Sequence, residues 1–367
     1  MRNSFIRILI IALAIALIGV LSIYSSTYQK ELALWQDIYK RQILWLAIGV
    51  VCFFLMSGFN YRKLWDASYF IYGLALLLLL LVFSLGIIRL GAQRWLKLAW
   101  FNFQPSEFVK LAVIIFLARY FSRKSESDIS LLSGKFGIFR GIALPFVFVA
   151  VPMFLVIEQP DLGSGLMLLL VFVSLLYLTD VRLKYIVVLL VLLLAPLPFL
   201  WNFLRPYQKD RLLVFLNPNI DPLGAGYTVI QSRIAIGSGG FFGKGWLSGT
   251  QSQLYFLPES HTDFIFATFS EQWGFLASVL LISLYYLLIR QGFIIAKRTQ
   301  DSFGKLLAYG ISILLALQVF INISMNMGLA PVVGLPLPLL SYGGSSIVAT
   351  FISLGILVNI DRTRAVF

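Results

Sequence analysis

Ten apolar runs, each close to the length that crosses a bilayer, punctuate this chain between Phe5 and Ile360. They fall at about 5–24, 42–59, 67–88, 105–121, 141–157, 164–179, 184–204, 264–289, 306–327 and 345–360. A spanning helix needs about 20 apolar residues, and in lipid only helices or closed barrels pair every backbone group internally. Of the 367 residues, 59% are hydrophobic and 12% charged, and mean hydropathy is +0.89. A soluble domain carries roughly twice that charged share and could not hide so much apolar surface. A soluble enzyme and a disordered chain are therefore excluded. So is a disulfide scaffold, since Cys52 is the one cysteine. The expectation is an all-α membrane protein of about ten spans forming a single integral-membrane domain over 1–367. The first run is longer than a signal-peptide core and lacks a small-residue cleavage site, so it is read as a retained span.

Net charge is +13, from 29 Lys and Arg against 16 Asp and Glu. No basic stripe with interleaved aromatics stands in a polar stretch, so nucleic acid is not the partner this charge implies. Basic residues flank the spans instead. With both termini on one side, the loops on that side hold 17 Lys and Arg and the short opposite loops hold 6, which predicts cytoplasmic termini. Three unusual stretches then face outward: an 89–105 turn, a short break at 158–163 that makes spans five and six a tight hairpin, and a large 205–262 loop. The two halves share no internal repeat, which disfavours transporter folds built on inverted repeats.

Five acids, Glu107, Glu158, Asp161, Asp263 and Glu271, sit within spans or at their outer ends. A charge at the bilayer centre costs at least about 2.5–3.5 kcal/mol, so such residues should face a cavity or a partner. Glu107 and Lys110 stand i, i+3 behind Pro105 and share a helix face. They form either a structural ion pair or a polar wall of a cavity. Ser260-His261-Thr262-Asp263 precedes an apolar run. It reads either as a capping box, with Ser260 as N-cap and Asp263 at the third helical position, or as an ionised carboxylate poised at a membrane surface to take a proton or hold a metal. His261, the only histidine, reads as a loop hydrogen-bonding residue, and one histidine is too few for a usual zinc site.

The glycine-dense run Gly237–Trp246 fails the Walker pattern at Ser238 and Gly245. Two readings stay open: a glycine backbone with Lys244 approaching an anion, or a flexible re-entrant turn. Residues 227–236 have near-helical apolar spacing and predict a short interfacial helix on the outer leaflet. Pro336 and Pro338 forbid a regular helix over 334–346. Irregular backbone at membrane depth is tolerated only when buried or lining a watery cavity.

Taken together, these stretches resemble the SEDS family (shape, elongation, division and sporulation) of multi-spanning peptidoglycan glycosyltransferases. The matching residues are Gly91-Ala92-Gln93-Arg94-Trp95, Gln104-Pro105-Ser106-Glu107-Phe108-Val109-Lys110 and Gln159-Pro160-Asp161-Leu162-Gly163-Ser164. They continue in Gln231-Ser232 through Gly245, in Phe256 through Phe266 and in Ser341-Tyr342-Gly343-Gly344-Ser345-Ser346. Each motif alone is weak; their joint occurrence in order along nearly the whole chain is specific. Pro336 is similar to the elongation-type, RodA-like branch, where division-type members usually carry Thr.

The resemblance implies a reaction at the outer face. Lipid II is joined into glycan strands: the 4-hydroxyl of an acceptor sugar attacks the anomeric carbon of a donor, undecaprenyl diphosphate leaves, and α configuration becomes β. The family's essential acid falls on Asp263. Its role is either general base or ligand of a divalent cation, Mg or Mn, beside the leaving diphosphate. Arg94, Lys110 and Lys244 are candidates for the diphosphate by charge and expected side. Glu107 and Asp161 match positions that shape the family's cavity, and His261, Thr262 and Ser341 belong to motifs expected to line it. The implied partners are a class B penicillin-binding protein and other elongation-complex membrane proteins, in a bacterial cytoplasmic membrane. Two rival classes stay open: a lipid II flippase and a non-catalytic scaffold. The near absence of charge in the inner halves of the spans favours outer-face chemistry over a flippase path.

Overall fold

The computed structural model describes residues 2–28, 37–89, 92–98, 101–126, 139–179, 181, 183–195, 202, 205–224 and 226–363. Gly91 of the first motif lies outside them. Among the described residues there are thirteen α-helices: α1 Arg2–Thr27, α2 Ile38–Gly58, α3 Arg62–Leu85, α4 Pro105–Glu126, α5 Leu144–Glu158, α6 Leu162–Tyr177, α7 Leu183–Leu194, α8 Pro206–Leu216, α9 Tyr227–Ser238, α10 Thr250–Gln253, α11 Ile265–Arg298, α12 Ser302–Asn326 and α13 Gly344–Thr363. Among the described residues seven helices are long and apolar enough to cross a membrane: α1, α2, α3, the helix Phe139–Glu158 that includes α5, α11, α12 and α13. The chain is a multi-pass membrane protein. α6 is apolar but shorter, at 16 residues.

The outer helices bury one stripe and offer the rest to lipid. In α3 the buried positions Leu64, Ser68, Tyr72, Ala75, Leu79 and Val82 recur every three or four residues, while Phe70, Leu77 and Leu80 are exposed. Lipid is as apolar as leucine, so close packing holds such helices together. α2 and α13 pack along their lengths, and a Cβ at Gly49 would stand 2.6 Å from Phe351. α4 is buried almost all round between α3, α6, α12 and α13, with Ile114, Leu117 and Ala118 fully enclosed.

The fold departs from an all-α expectation at 86–103. Where a turn was expected, a three-stranded antiparallel meander forms from β1 Gly86–Arg89, β2 Ala92–Leu98 and β3 Phe101–Phe103, in order β1-β2-β3. Gly86 pairs with Leu96, Leu96 with Phe103, and the register shifts between Ile87 and Ile88. Gln93 Nε2 donates to the Gly86 carbonyl at 2.9 Å and ties the sheet to the end of α3. Strand alternation sets Ala92, Arg94 and Leu96 on one face, and the two apolar members are buried. The sheet thus carries Arg94 inward as a loop would not.

Candidate active site

Irregular segments meet at one end of the bundle: the meander, the α5–α6 hairpin, the stretch from α10 to α11, and the 328–343 connection. Asp161 joins the first two. It caps α6, accepting from Ser164 N at 3.1 Å, and takes Ser106 Oγ at 3.2 Å and Gln104 Nε2 at 3.4 Å on its other oxygen. Arg94 Nη1 stands 4.0 Å from Asp161, and Arg94 Nη2 donates to the Pro160 carbonyl. Just past this junction, Lys110 Nζ and Glu107 pair at 2.7 Å with both side chains buried.

Asp263 faces Arg94 across Gly334. A Cβ built on Gly334 would lie 3.5 Å from Asp263 Oδ2 and 3.9 Å from Arg94 Nη1. α11 starts at Ile265, two residues beyond Asp263, with Phe264 as its N-cap residue. The capping-box reading is therefore corrected. Ser260 Oγ bonds nothing among the described residues, and the Ala267 N–H is capped from another helix, by Asn326 Oδ1 at 3.2 Å. With its cap supplied by α12, the turn keeps the Asp263 carboxylate free of helix duty.

The backbone around Asp263 is fixed from three directions. Asn322 and Asn326, one turn apart on α12, both donate to the Asp263 carbonyl, at 3.1 and 2.9 Å. Ser341 Oγ donates to the Thr262 carbonyl at 2.7 Å and accepts from Leu337 N at 2.8 Å. Tyr342 N donates to the His261 carbonyl at 2.9 Å, and the His261 and Tyr342 rings lie 5.9 Å apart. The Thr262 hydroxyl donates to Glu259 Oε2 at 3.0 Å. His261, Thr262 and Ser341 thus hold the loop that presents Asp263.

The electrostatics of Asp263 are mixed. Burial and the nearby Glu259 carboxylate raise its pKa, and Arg94 and Arg211 oppose them, leaving it at about 6. The side chain keeps partial contact with solvent. Arg211 lies on α8 and interacts electrostatically with Arg94, Asp263 and Asp161. α8 is anchored by Pro206 at its first position and by Arg205, whose guanidinium meets Glu158 at 2.5 Å. Buried nitrogens Arg94 Nε and Arg211 Nη1 have no hydrogen-bond partner among the described residues. Guanidinium donors of this kind form charge-assisted hydrogen bonds to anionic groups.

Of the residues expected at the site, Asp263, Arg94 and Asp161 come together, with Glu107 and Lys110 behind them. Lys244 stands apart. Its ammonium is held by Glu271 at 2.9 Å and Thr250 at 2.8 Å. The glycine run cradles no anion with its Lys244 and Gly245 N–H groups, which donate to the Glu271 and Gln272 carbonyls. Sequence reasoning missed Arg211, Glu259, Asn322 and Asn326. Two asparagines at i, i+4 in a mostly apolar helix were the available signal, because an amide in a span seeks a partner.

The comparisons with known proteins fit this architecture. A family model described as "Cell cycle protein", for FtsW, RodA and SpoVE, matches residues 5–366. The chain belongs to that family. It is similar to the peptidoglycan glycosyltransferase MrdB of Escherichia coli K12, with 43% identity over 357 residues covering 97% of this chain and 93% of that one. A solved chain in a study of structural coordination of polymerization and crosslinking by a peptidoglycan synthase complex matches with TM-score 0.80 at 30% identity, covering 97% of each chain. The rod shape determining protein RodA of Thermus thermophilus matches with TM-score 0.69 at 28% identity, covering 97% of this chain and 96% of that one.

Proposed function

We propose that this chain is a peptidoglycan glycosyltransferase of the elongation type, joining lipid II into β-1,4 glycan strands at the outer face of the bacterial cytoplasmic membrane. The observation that carries the reading is a carboxylate at about 6, Asp263, beside two guanidiniums, Arg94 and Arg211, in a chain of this family. In this arrangement ten helices cross the membrane, both termini are cytoplasmic, and 205–262 is a large outer loop containing the interfacial helix α9.

A sugar hydroxyl is a poor nucleophile, so a base must take its proton as the bond forms. A carboxylate near 6 is mostly ionised at pH 7 and more basic than one at the ordinary value of 3.8. Asp263 takes the proton of the acceptor 4-hydroxyl while its oxygen bonds the donor anomeric carbon from the face opposite the diphosphate. The anomeric C–O bond breaks, its electrons leave with undecaprenyl diphosphate, and α becomes β. Arg94 and Arg211 meet the charge that develops on the leaving group through charge-assisted hydrogen bonds. Lys110 and Lys244 hold carboxylates at 2.7 and 2.9 Å, whereas Arg94 stands 4.0 Å from Asp161 and both arginines keep a buried donor unbonded among the described residues, so the diphosphate is assigned to the two arginines.

A divalent cation, Mg or Mn, would have Asp263 and Glu259 for ligands. Among the described residues no three or more His, Cys, Asp or Glu side chains gather into a metal-holding group, so no step is routed through a metal. The partner is a class B penicillin-binding protein, which would cross-link the strands made here, alongside other elongation-complex membrane proteins.

The test is polymerisation of lipid II by purified protein with that partner, read as glycan chains on a gel. Wild type makes polymer, and Asp263→Asn loses at least about 100-fold in rate, the lower range for a positioned general base. Equal polymer from both removes Asp263 from the chemistry. No polymer from wild type, with lipid II movement in vesicles, supports a flippase; neither activity supports a scaffold.

A further inference from the structure

The glycine-rich run is spliced into a broken helix. α11 breaks at Gly274, whose φ of 75° and ψ of −170° open its backbone ladder. The loop fills the opening. Lys244 N and Gly245 N donate to the Glu271 and Gln272 carbonyls, both at 3.0 Å, and Phe275 N and Leu276 N donate to the Gly240 and Phe241 carbonyls at 3.0 and 3.2 Å. A side chain at Gly243 would strike the Gln272 carbonyl, so glycine is required for this approach.

One side chain locks the splice. Glu271 is fully buried, and its Oε1 accepts from Lys244 Nζ at 2.9 Å, Thr250 Oγ1 at 3.0 Å and Gln251 N at 3.0 Å. These donors come from two arms. Lys244 belongs to the glycine loop; Thr250 and Gln251 begin the segment that runs to Asp263. From there the connection is continuous. The Gln251 carbonyl accepts from Leu257 N at 3.0 Å, and Leu257 is buried in a small apolar cluster with Phe264 and Ala267. Glu259, next but one, receives the Thr262 hydroxyl beside Asp263.

We propose that Glu271 is a positioning residue for glycosyl transfer: by gathering both arms on one carboxylate oxygen it fixes the 249–264 segment against α11, and so sets where the Asp263 carboxylate stands relative to Arg94 and Arg211. The inference rests on the glycosyltransferase reading. Glu271 Oε2 is buried without a hydrogen-bond partner among the described residues, so removing Lys244 leaves a buried anion with one cation fewer and the segment free to shift. A small misplacement far from the reacting atoms can cost about 100-fold in rate.

The experiment measures kcat and KM for lipid II polymerisation by the full-length protein with its partner, each rate normalised to the folded fraction from a thermal melt. Lys244→Met lowers kcat about tenfold with KM within about twofold, because the donor site itself is untouched. Glu271→Leu, which removes every acceptor, lowers kcat about 100-fold. The neutral pair Lys244→Met with Glu271→Gln returns kcat to within about threefold of wild type, since the amide oxygen still serves Thr250 and Gln251 without a buried charge. Wild-type kcat in Lys244→Met, or no recovery in the neutral pair, overturns the inference. Should Glu271→Leu fail to fold, those two variants decide alone. Polymer from wild type but not from Asp263→Asn, together with unchanged Lys244→Met, sinks this inference and leaves the enzymatic reading standing; no polymer from wild type sinks both.

Discussion

The two ends of this helix bundle use polar groups in opposite ways. At the end built from 57–68, 119, 299–304 and 359, they close helices. Asp301 caps α12 through Gly304 N at 2.8 Å and takes the Tyr61 hydroxyl at 3.0 Å, while Asn359 bridges Tyr61 N and the Ser57 carbonyl at 2.9 and 3.0 Å. Arg119 lies 4.1 Å over the Tyr69 ring and donates to the Trp65 carbonyl. The α2–α3 and α11–α12 connections there are short. At the end that holds Asp263 most connections are irregular, and among the described residues buried atoms of Arg94, Arg211, Ser260, Gln251 and Glu271 have no hydrogen-bond partner, against Arg119 Nε at the other end. A fold that leaves so many polar groups unanswered in one place keeps them for a ligand.

The contrast makes predictions that can break it. The largest effect after loss of Asp263 itself belongs to the asparagine pair. Replacing both Asn322 and Asn326 with Leu frees the Asp263 carbonyl and should lower polymerisation by about 100-fold, while the same treatment of Asn359 at the far end should lower the melting temperature and leave kcat per folded molecule unchanged. An equal kcat loss from Asn359 would end the distinction between the ends.

The pH dependence comes next. Asp263 acts ionised, and its pKa is raised to about 6, so the rate should climb as pH rises through about 6 and be about tenfold lower at pH 5 than on the plateau. The sign for stability is opposite. A carboxyl held above its unfolded value stabilises the fold while protonated, and that contribution is lost as pH rises through the folded value. Asp263→Asn should therefore melt no lower than wild type at pH 7.5, as read by thermal scanning, which separates its catalytic loss from unfolding.

Buried and solvent-facing ion pairs should differ in turn. Lys110→Met leaves Glu107 buried and uncompensated, at a cost of about 3–5 kcal/mol. Arg205→Ala, removing a partner from a pair whose side chains are 45% and 39% exposed, should cost at most about 1 kcal/mol. Detergent-titrated thermal melts of the two variants compare them directly. Smallest of all, Tyr61→Phe loses one hydrogen bond to Asp301 and about 1 kcal/mol, with polymerisation unaffected.

Much of this protein is legible in its residues. Long apolar runs fix the helical membrane class because lipid offers backbone groups no other partner, and each expected run overlaps a helix. The motifs around Glu107, Asp161 and Asp263 marked one end of the bundle as polar before any contact was known. Three features were not legible. The meander at 86–103 lies in strands of three to seven residues, too short for periodicity to separate from a turn. Ser260 has the spacing of a cap, yet Asn326 caps the helix from 59 residues away. Lys244 beside glycines looks like an anion site until Glu271 claims it.

The sequence by itself determined that this is a helical multi-pass membrane protein and where its charges fall along the chain, because transfer energies and periodicity are properties of neighbouring residues. Only the tertiary structure decided which charges are free. The Lys110–Glu107 pair lies within one helix and is local, but whether Lys244 pairs or waits for a substrate depends on Glu271, 27 residues away on α11, and the field of Arg94 and Arg211 reaches Asp263 only through the packing of separate segments.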